Sequence, residues 1–375
     1  MKIGKWAALL LAAAPFLTGC SGFWDAPTTS TTTTTTLSSG YFFLMDAATN
    51  SIISYDIVSG TLTLVGTTAL SDTPIAMTVA PNGDFLFVST SSGIYVYTIS
   101  SGVLTLGNSS SVITSDPATA LQVDKNNIWL VESSATGTLN AIPIVSTSGS
   151  LDSTRSAQSV VLSSSAVNQM AFSINDAFLF ITLGTNGTAE YSFNKSSSSA
   201  PLGTSATSTI ALVGAKALAV AVDPADRLVY VSETAAVSSS GGLRAFSLNT
   251  STGALTELSS SPIASGGTGP YFILPKSTDD YVYVANWKGT SVGNITGFSI
   301  TASSSTYTLA KVNSVATGIQ PMALAEDSTN QFVLAANAGG SPYLDAYIFD
   351  TTTDYQLDNV VTSSSYAVTS LAAMP

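Results

Sequence analysis

Lys216–Pro262 reads KALAVAVDPADRLVYVSETAAVSSSGGLRAFSLNTSTGALTELSSSP. Within it Leu218–Val222, Leu228–Ser232, Leu243–Leu248 and Ala254–Leu258 alternate apolar and polar residues. Alternation with a period of two puts every second side chain on one face, the pattern of a half-buried strand. Turn-forming residues separate the runs. Asp223-Pro224-Ala225-Asp226 makes one reversal and Asn249–Gly253 another, while Glu233–Gly242 is small and polar, as a surface loop is. The stretch therefore predicts one four-stranded antiparallel meander.

The unit recurs. Its first strand and turn reappear at Ile75–Asp84, Ala118–Asn126, Val167–Asp176, Tyr271–Asp280 and Met322–Asn330, with second and third strands after each. Copies are spaced 43 to 54 residues apart, counted from Pro74, Pro117, Ala166, Lys216, Pro270, Pro321 and Tyr366. Four strands at such a period are the signature of a β-propeller blade. Six full copies run from Pro74 to about Ser365. What remains completes a seventh: Tyr41–Ala47, Ile52–Val58 and Thr61–Thr67 lack a first strand, and Tyr366–Met374 is a first strand with no successors. The expected architecture is all-β, a seven-bladed propeller of four-stranded antiparallel blades occupying residues 40–375, its first blade closed by the C-terminal strand. Closure removes the exposed edge that an open sheet would present.

Two segments precede it. Residues 1–20 carry Lys2 and Lys5, then an apolar run Trp6–Phe16 too short to span a bilayer. Leu17-Thr18-Gly19-Cys20 resembles a bacterial lipobox, and Cys20 is the only cysteine in the chain. The expectation is a lipoprotein signal peptide, lipidation at Cys20 and a lipid anchor in the cell envelope; Ser21 after the cysteine resembles an outer-membrane sorting signal. Residues 21–39, with the unbroken Thr31–Thr36 run, read as a Ser/Thr-rich tether.

Composition excludes several chemistries. The chain is 9% charged, against about 25% in typical globular proteins, with a formal net charge of −12. An acidic chain with no basic cluster is a poor nucleic-acid binder, so no nucleic-acid partner is expected, and the membrane contact is the lipid itself. There is no histidine. A Ser-His-Asp triad and a His-ligated metal are therefore impossible, and neither a metal nor a cofactor is expected.

The blades resemble the lactonase-like seven-bladed propellers, the group of 6-phosphogluconolactonase and the YVTN-repeat proteins. The residues that carry the resemblance are Ala221-Val222-Asp223-Pro224 with Leu228-Val229-Tyr230-Val231, then Phe246-Ser247-Leu248 and Thr252–Thr256, and Tyr281–Asn286 in the next blade. The family resemblance implies a pocket on one face served by His, Glu and Arg side chains. This chain has no His, and its arginines are Arg155, Arg227 and Arg244. Glu233 and Arg244, flanking one long loop, are the candidate catalytic pair; the alternative is a solvated ion pair at the loop ends.

Loops joining second to third strands and blade to blade open on one common face of a propeller. The longest here are Glu233–Gly242, Asn286–Asn294 and Asn337–Tyr343. They place Trp287, Lys288 and Tyr343 beside Gly266-Gly267-Thr268-Gly269, the expected binding residues, with packing between blades as the other reading of Trp287. Asp84, Asp124, Asp223 and Asp327 are expected to serve turns rather than a site. Two functions follow. The first is a monomeric, lipid-anchored, non-catalytic module binding a protein, glycan or small molecule on the loop face. The second is a lactonase-like hydrolase or cyclase that uses carboxylates without histidine.

Overall fold

The alternating runs become strands because each carries an apolar stripe that must be covered, and the face of the neighbouring blade covers it. The structure is a computed structural model. It describes residues 38–375 apart from 163–166, 236, 238–240, 279, 304–305, 340–341, 354 and 364–367. The expected leader, Cys20 and nearly all of the tether lie outside the described residues. Ser38–Pro375 forms one compact unit of seven antiparallel sheets.

Blade 1 is built from both ends of this unit. Its strands run Val368–Ala373, Ser38–Asp46, Ser51–Val58 and Thr61–Ala69 from inside outward, with Phe42 opposite Ala373 and Leu44 opposite Leu371. Blades 2, 3 and 4 begin with inner strands Pro74–Val79, Ala118–Val123 and Met170–Phe172; blades 5, 6 and 7 begin with Ala217–Val222, Pro270–Pro275 and Pro321–Glu326. Blade 5 gains a short fifth strand, Ile263–Ala264, paired with Gly242–Leu248. Among the described residues the helical content is one short 3-10 turn at Asn108–Ser110, and no helix is long and apolar enough to cross a membrane.

The core is not central but divided among the seams. Seven apolar clusters each join two neighbouring blades: Phe178, Phe180, Val229, Val231 and Phe246 join blades 4 and 5, for example, and Phe42, Leu44, Leu334 and Leu371 join blades 7 and 1. Each fully buried Leu, Val or Phe contributes about 1.5–3 kcal/mol, so every blade is held by the two faces it shares.

Three details depart from the sequence reading. The first strand of blade 1 starts at Ser38, so the propeller begins slightly before residue 40. The third strand of blade 6 starts at Val292, inside the expected Asn286–Asn294 loop, and runs to Ser303, paired with the β-branched-rich Thr306–Ile319. The third concerns the turn aspartates. Asp124, Asp223 and Asp327 are buried, and each accepts hydrogen bonds from the two N–H groups that open the next strand: Ile128 and Trp129, Arg227 and Leu228, Gln331 and Phe332. Asp84 does not share this role. It aligns with Arg227, one residue before the second strand, and is itself held at 2.9 Å by the amide of Asn82. In blade 4 the hydroxyl of Ser173 replaces the carboxylate, accepting from Ala177 and Phe178.

Candidate functional site

The inner strands line the ring axis, and all seven blades contribute to a central channel of about 550 Å³. Its wall is two-sided. Blades 3 and 4 supply Thr119, Gln122, Asn168 and Gln169; blades 6 and 7 supply Tyr271, Phe272 and Met322. None of the lining residues carries a charge. Two of the amides are oriented by the neighbouring blade: the Asn168 amide donates to the Ala217 carbonyl at 3.0 Å, and the Gln169 side-chain oxygen accepts from the Val220 N–H at 3.2 Å. The Gln169 NH2 remains as a donor. Gln122, Gln169 and Met170 also line a second cavity of about 410 Å³ toward the opposite face, where Lys125 and Asp176 stand.

At the upper rim, the face onto which the second-to-third-strand loops open, Trp287 packs its indole against Tyr271 with ring centroids 4.8 Å apart. Tyr271 is 38% exposed and lines the channel, so the half-buried Trp287 sits at its mouth rather than inside a seam core. The glycine-rich connection lies directly beneath: the N–H groups of Trp287 and Lys288 donate to the carbonyls of Gly269 and Thr268. Gly266 and Gly269 adopt φ of +78° and +66°, which fits the turn to glycine. Lys288 is exposed, with a positive φ of 48°. Tyr343 is not part of this group; it packs against the apolar cluster shared by blades 7 and 1.

Glu233 and Arg244 are brought together, but not at solvated loop ends. Glu233 is 1% exposed and Arg244 7%. Arg244 Nη1 lies 3.3 Å from Glu233 Oε1, and the rest of the guanidinium makes a two-point contact with Glu257 at 2.9 and 2.6 Å. The reason is strand parity: Val229, Val231 and Glu233 alternate on the face that blade 5 turns to blade 4. Burial pushes the Glu233 carboxyl up, against the pull of Arg244, and its Oε2 has no hydrogen-bond partner among the described residues. Arg227, in the turn before the second strand of blade 5, ties Asp223 to Asp280 of blade 6 at 2.6 and 2.8 Å. Among the described residues there is no group of three or more His, Cys, Asp or Glu that could hold a metal ion.

A family model described as "Lactonase, 7-bladed beta-propeller" matches residues 227–364, the span that holds Glu233, Arg244, Trp287, Lys288 and Tyr343. The chain is a seven-bladed β-propeller whose residues 227–364 are similar to the lactonase propellers. A candidate 6-phosphogluconolactonase from Bacteroides uniformis superposes on this propeller with a TM-score of 0.71 at 16% identity, covering 89% of this chain and 99% of that one. Another from Bacteroides fragilis gives 0.73 at 14% identity, covering 91% and 99%. The fold is not confined to that group: hydrazine synthase of Kuenenia stuttgartiensis gives 0.57 at 13% identity over 90% of this chain and 99% of that one. No curated protein matches the chain. At these identities the likeness establishes the fold.

The sequence reading missed Tyr271 and the channel amides. Their signal was present in part: Asn168-Gln169 precedes an inner strand where other blades have small or apolar residues, a polar departure at an axis-facing position.

Proposed function

We propose that this lactonase-like propeller takes a small, uncharged ring of the lactone class into its central channel. The carrying observation is the channel itself: about 550 Å³, amides on one wall, Tyr271, Phe272 and Met322 on the other, and no charged lining group. Such a wall suits a flat ring with a polar edge and an apolar face. The neighbours named as candidate 6-phosphogluconolactonases point to the lactone class, whereas the uncharged channel wall disfavours a phosphate, which favours an unphosphorylated ring. Equilibrium binding of sugar lactones with and without a phosphate group, followed by Trp287 fluorescence, tests the reading. Gln169→Leu is expected to weaken binding about tenfold, the loss of one hydrogen-bonding partner. Absence of binding, or a preference for the phosphorylated ring, would sink it.

A second reading is ring-opening hydrolysis, which the family resemblance favours over a purely non-catalytic module. Its specific support is Glu233, a buried carboxyl with a raised pKa and an unpartnered oxygen. Such a group can take the proton of a water that adds to the lactone carbonyl as the ring C–O bond breaks. Against it, Glu233 faces the seam and not the channel, and Arg244 is already engaged by Glu257. Lactone turnover that disappears in Glu233→Gln would establish this second reading.

The lipid anchor on Cys20 is likewise proposed from the sequence of residues 1–20, with placement in the outer membrane. Cys20→Ala is expected in the soluble envelope fraction; retention of that variant through a carbonate wash would refute the anchor.

A further inference from the structure

Blades 3, 5, 6 and 7 share a recurring layer of polar side chains at the upper end of the seam. The third-strand position opposite Val231, Val284, Ala335 and Glu132 is filled by Arg244, Thr296, Asp345 and Asn140 respectively. In blade 7 one carboxylate oxygen of Asp345, Oδ2, accepts from Thr317 at 2.8 Å, the Gly318 N–H at 3.0 Å and Asn337 at 2.9 Å. In blade 5 Glu233 has the Arg244 guanidinium. Blade 6 uses neutral groups, Asn286, Asn294, Thr296 and Ser314.

Blade 3 differs. Glu132 is 1% exposed, between Leu121 of the first strand and Asn140 of the third. Leu130, two residues before it on the same face, belongs to the apolar cluster shared with blade 2, so Glu132 faces blade 2 as well. One of its oxygens accepts from the Asn140 amide, whose own oxygen accepts from Ser159 at 2.6 Å; the other, Oε2, has no partner among the described residues. Blade 2 offers Phe87 and Ile94, which do not titrate, and Ser89, whose hydroxyl is taken by the Ala118 N–H. The connection between the blades brings Asp116, the charged group that acts on Glu132, and its sign is the same.

We infer that the seam between blades 2 and 3 is a proton-sensitive joint in which Glu132 takes up the proton and which loosens as the pH rises. An ionised carboxylate there is buried, half-satisfied and faced by a second acid, whereas the neutral acid loses little. Burial raises its pKa most, Asn140 works in the opposite direction and Asp116 adds to the rise, leaving it at about 7 against an ordinary 4.5. Because the folded-state value is the higher one, the stabilisation is fully present below about 4.5 and is lost as the pH climbs to about 7. Over that window the unfolding constant grows by up to about tenfold per pH unit, then levels off.

The test is the urea midpoint of residues 38–375 within the full chain from pH 4.5 to 8.5, for the native protein, Glu132→Gln and Asp116→Asn. Differences between curves remove the contribution of the other acids. The native unfolding constant should rise on the order of 100-fold more across the window than that of Glu132→Gln. Asp116→Asn, an exposed substitution that leaves the seam intact, should move the native inflection to lower pH. Parallel curves for all three proteins would overturn the joint. So would stabilisation of the native protein, but not of Glu132→Gln, by millimolar calcium at pH 8, because the seam would then hold a cation in place of the proton.

Discussion

The seams between blades 4 and 5 and between blades 2 and 3 each bury a glutamate near the upper end of the second strand, Glu233 two residues beyond the level of Glu132, and the two behave oppositely. Glu233 meets a guanidinium that is itself anchored by Glu257, so the seam carries a fixed charge pair. Glu132 meets an amide and a like charge, so its seam carries a titrating group. Arg244 and Asn140 fill the same third-strand position, and which of them stands there decides the state that is tolerated. In a repeat fold the apolar layers set where blades sit, while the polar layer above them sets how each seam responds to its surroundings.

Removing that one residue is the most direct way to break the contrast. Arg244→Met should leave Glu233 buried without a counter-ion and destabilise the propeller by about 3–5 kcal/mol, read as a lower thermal midpoint. The loss should be smaller at pH 5 than at pH 8, because a Glu233 freed of its cation escapes the penalty by protonation. An equal loss at both pH values would mean that Arg244 acts through packing on Phe246, 4.8 Å away, rather than through charge. The neutral seam of blade 6 sharpens the comparison at smaller scale. Thr296→Val removes a hydroxyl that serves the Asn294 amide at 2.9 Å, and should cost about 1 kcal/mol with no dependence on pH. A pH-dependent loss there would show that the layer is coupled around the ring.

The fold was legible because blade periodicity, turn residues and strand alternation all point the same way, and even the split blade 1 could be assembled from its two leftover ends. The site was legible less evenly. Trp287, Lys288 and the glycine connection do converge, since they share one rim, but Tyr343 was drawn off by an apolar cluster that no local pattern announces. Glu233 was misjudged because the serine-rich residues after it read as solvated, although Val229 and Val231 already assign its face to the seam. The same parity in Leu130 and Glu132 would have marked the other acid. Asp84 shows the reverse hazard: an aspartate in the right turn, at the wrong position within it, takes no part in the capping pattern. Channel amides were invisible for another reason, since residues facing a shared axis come from segments far apart in the chain, and their company is decided only by ring closure.

That closure also has a calendar. Of the propeller's strands, the one holding Phe42 and Leu44 is made before any other, yet its partners Ala373 and Leu371 are made after blade 7. Blades 2 to 7 can assemble on their neighbours as they emerge, but blade 1 must wait with one flank bare until Val368–Ala373 has followed them.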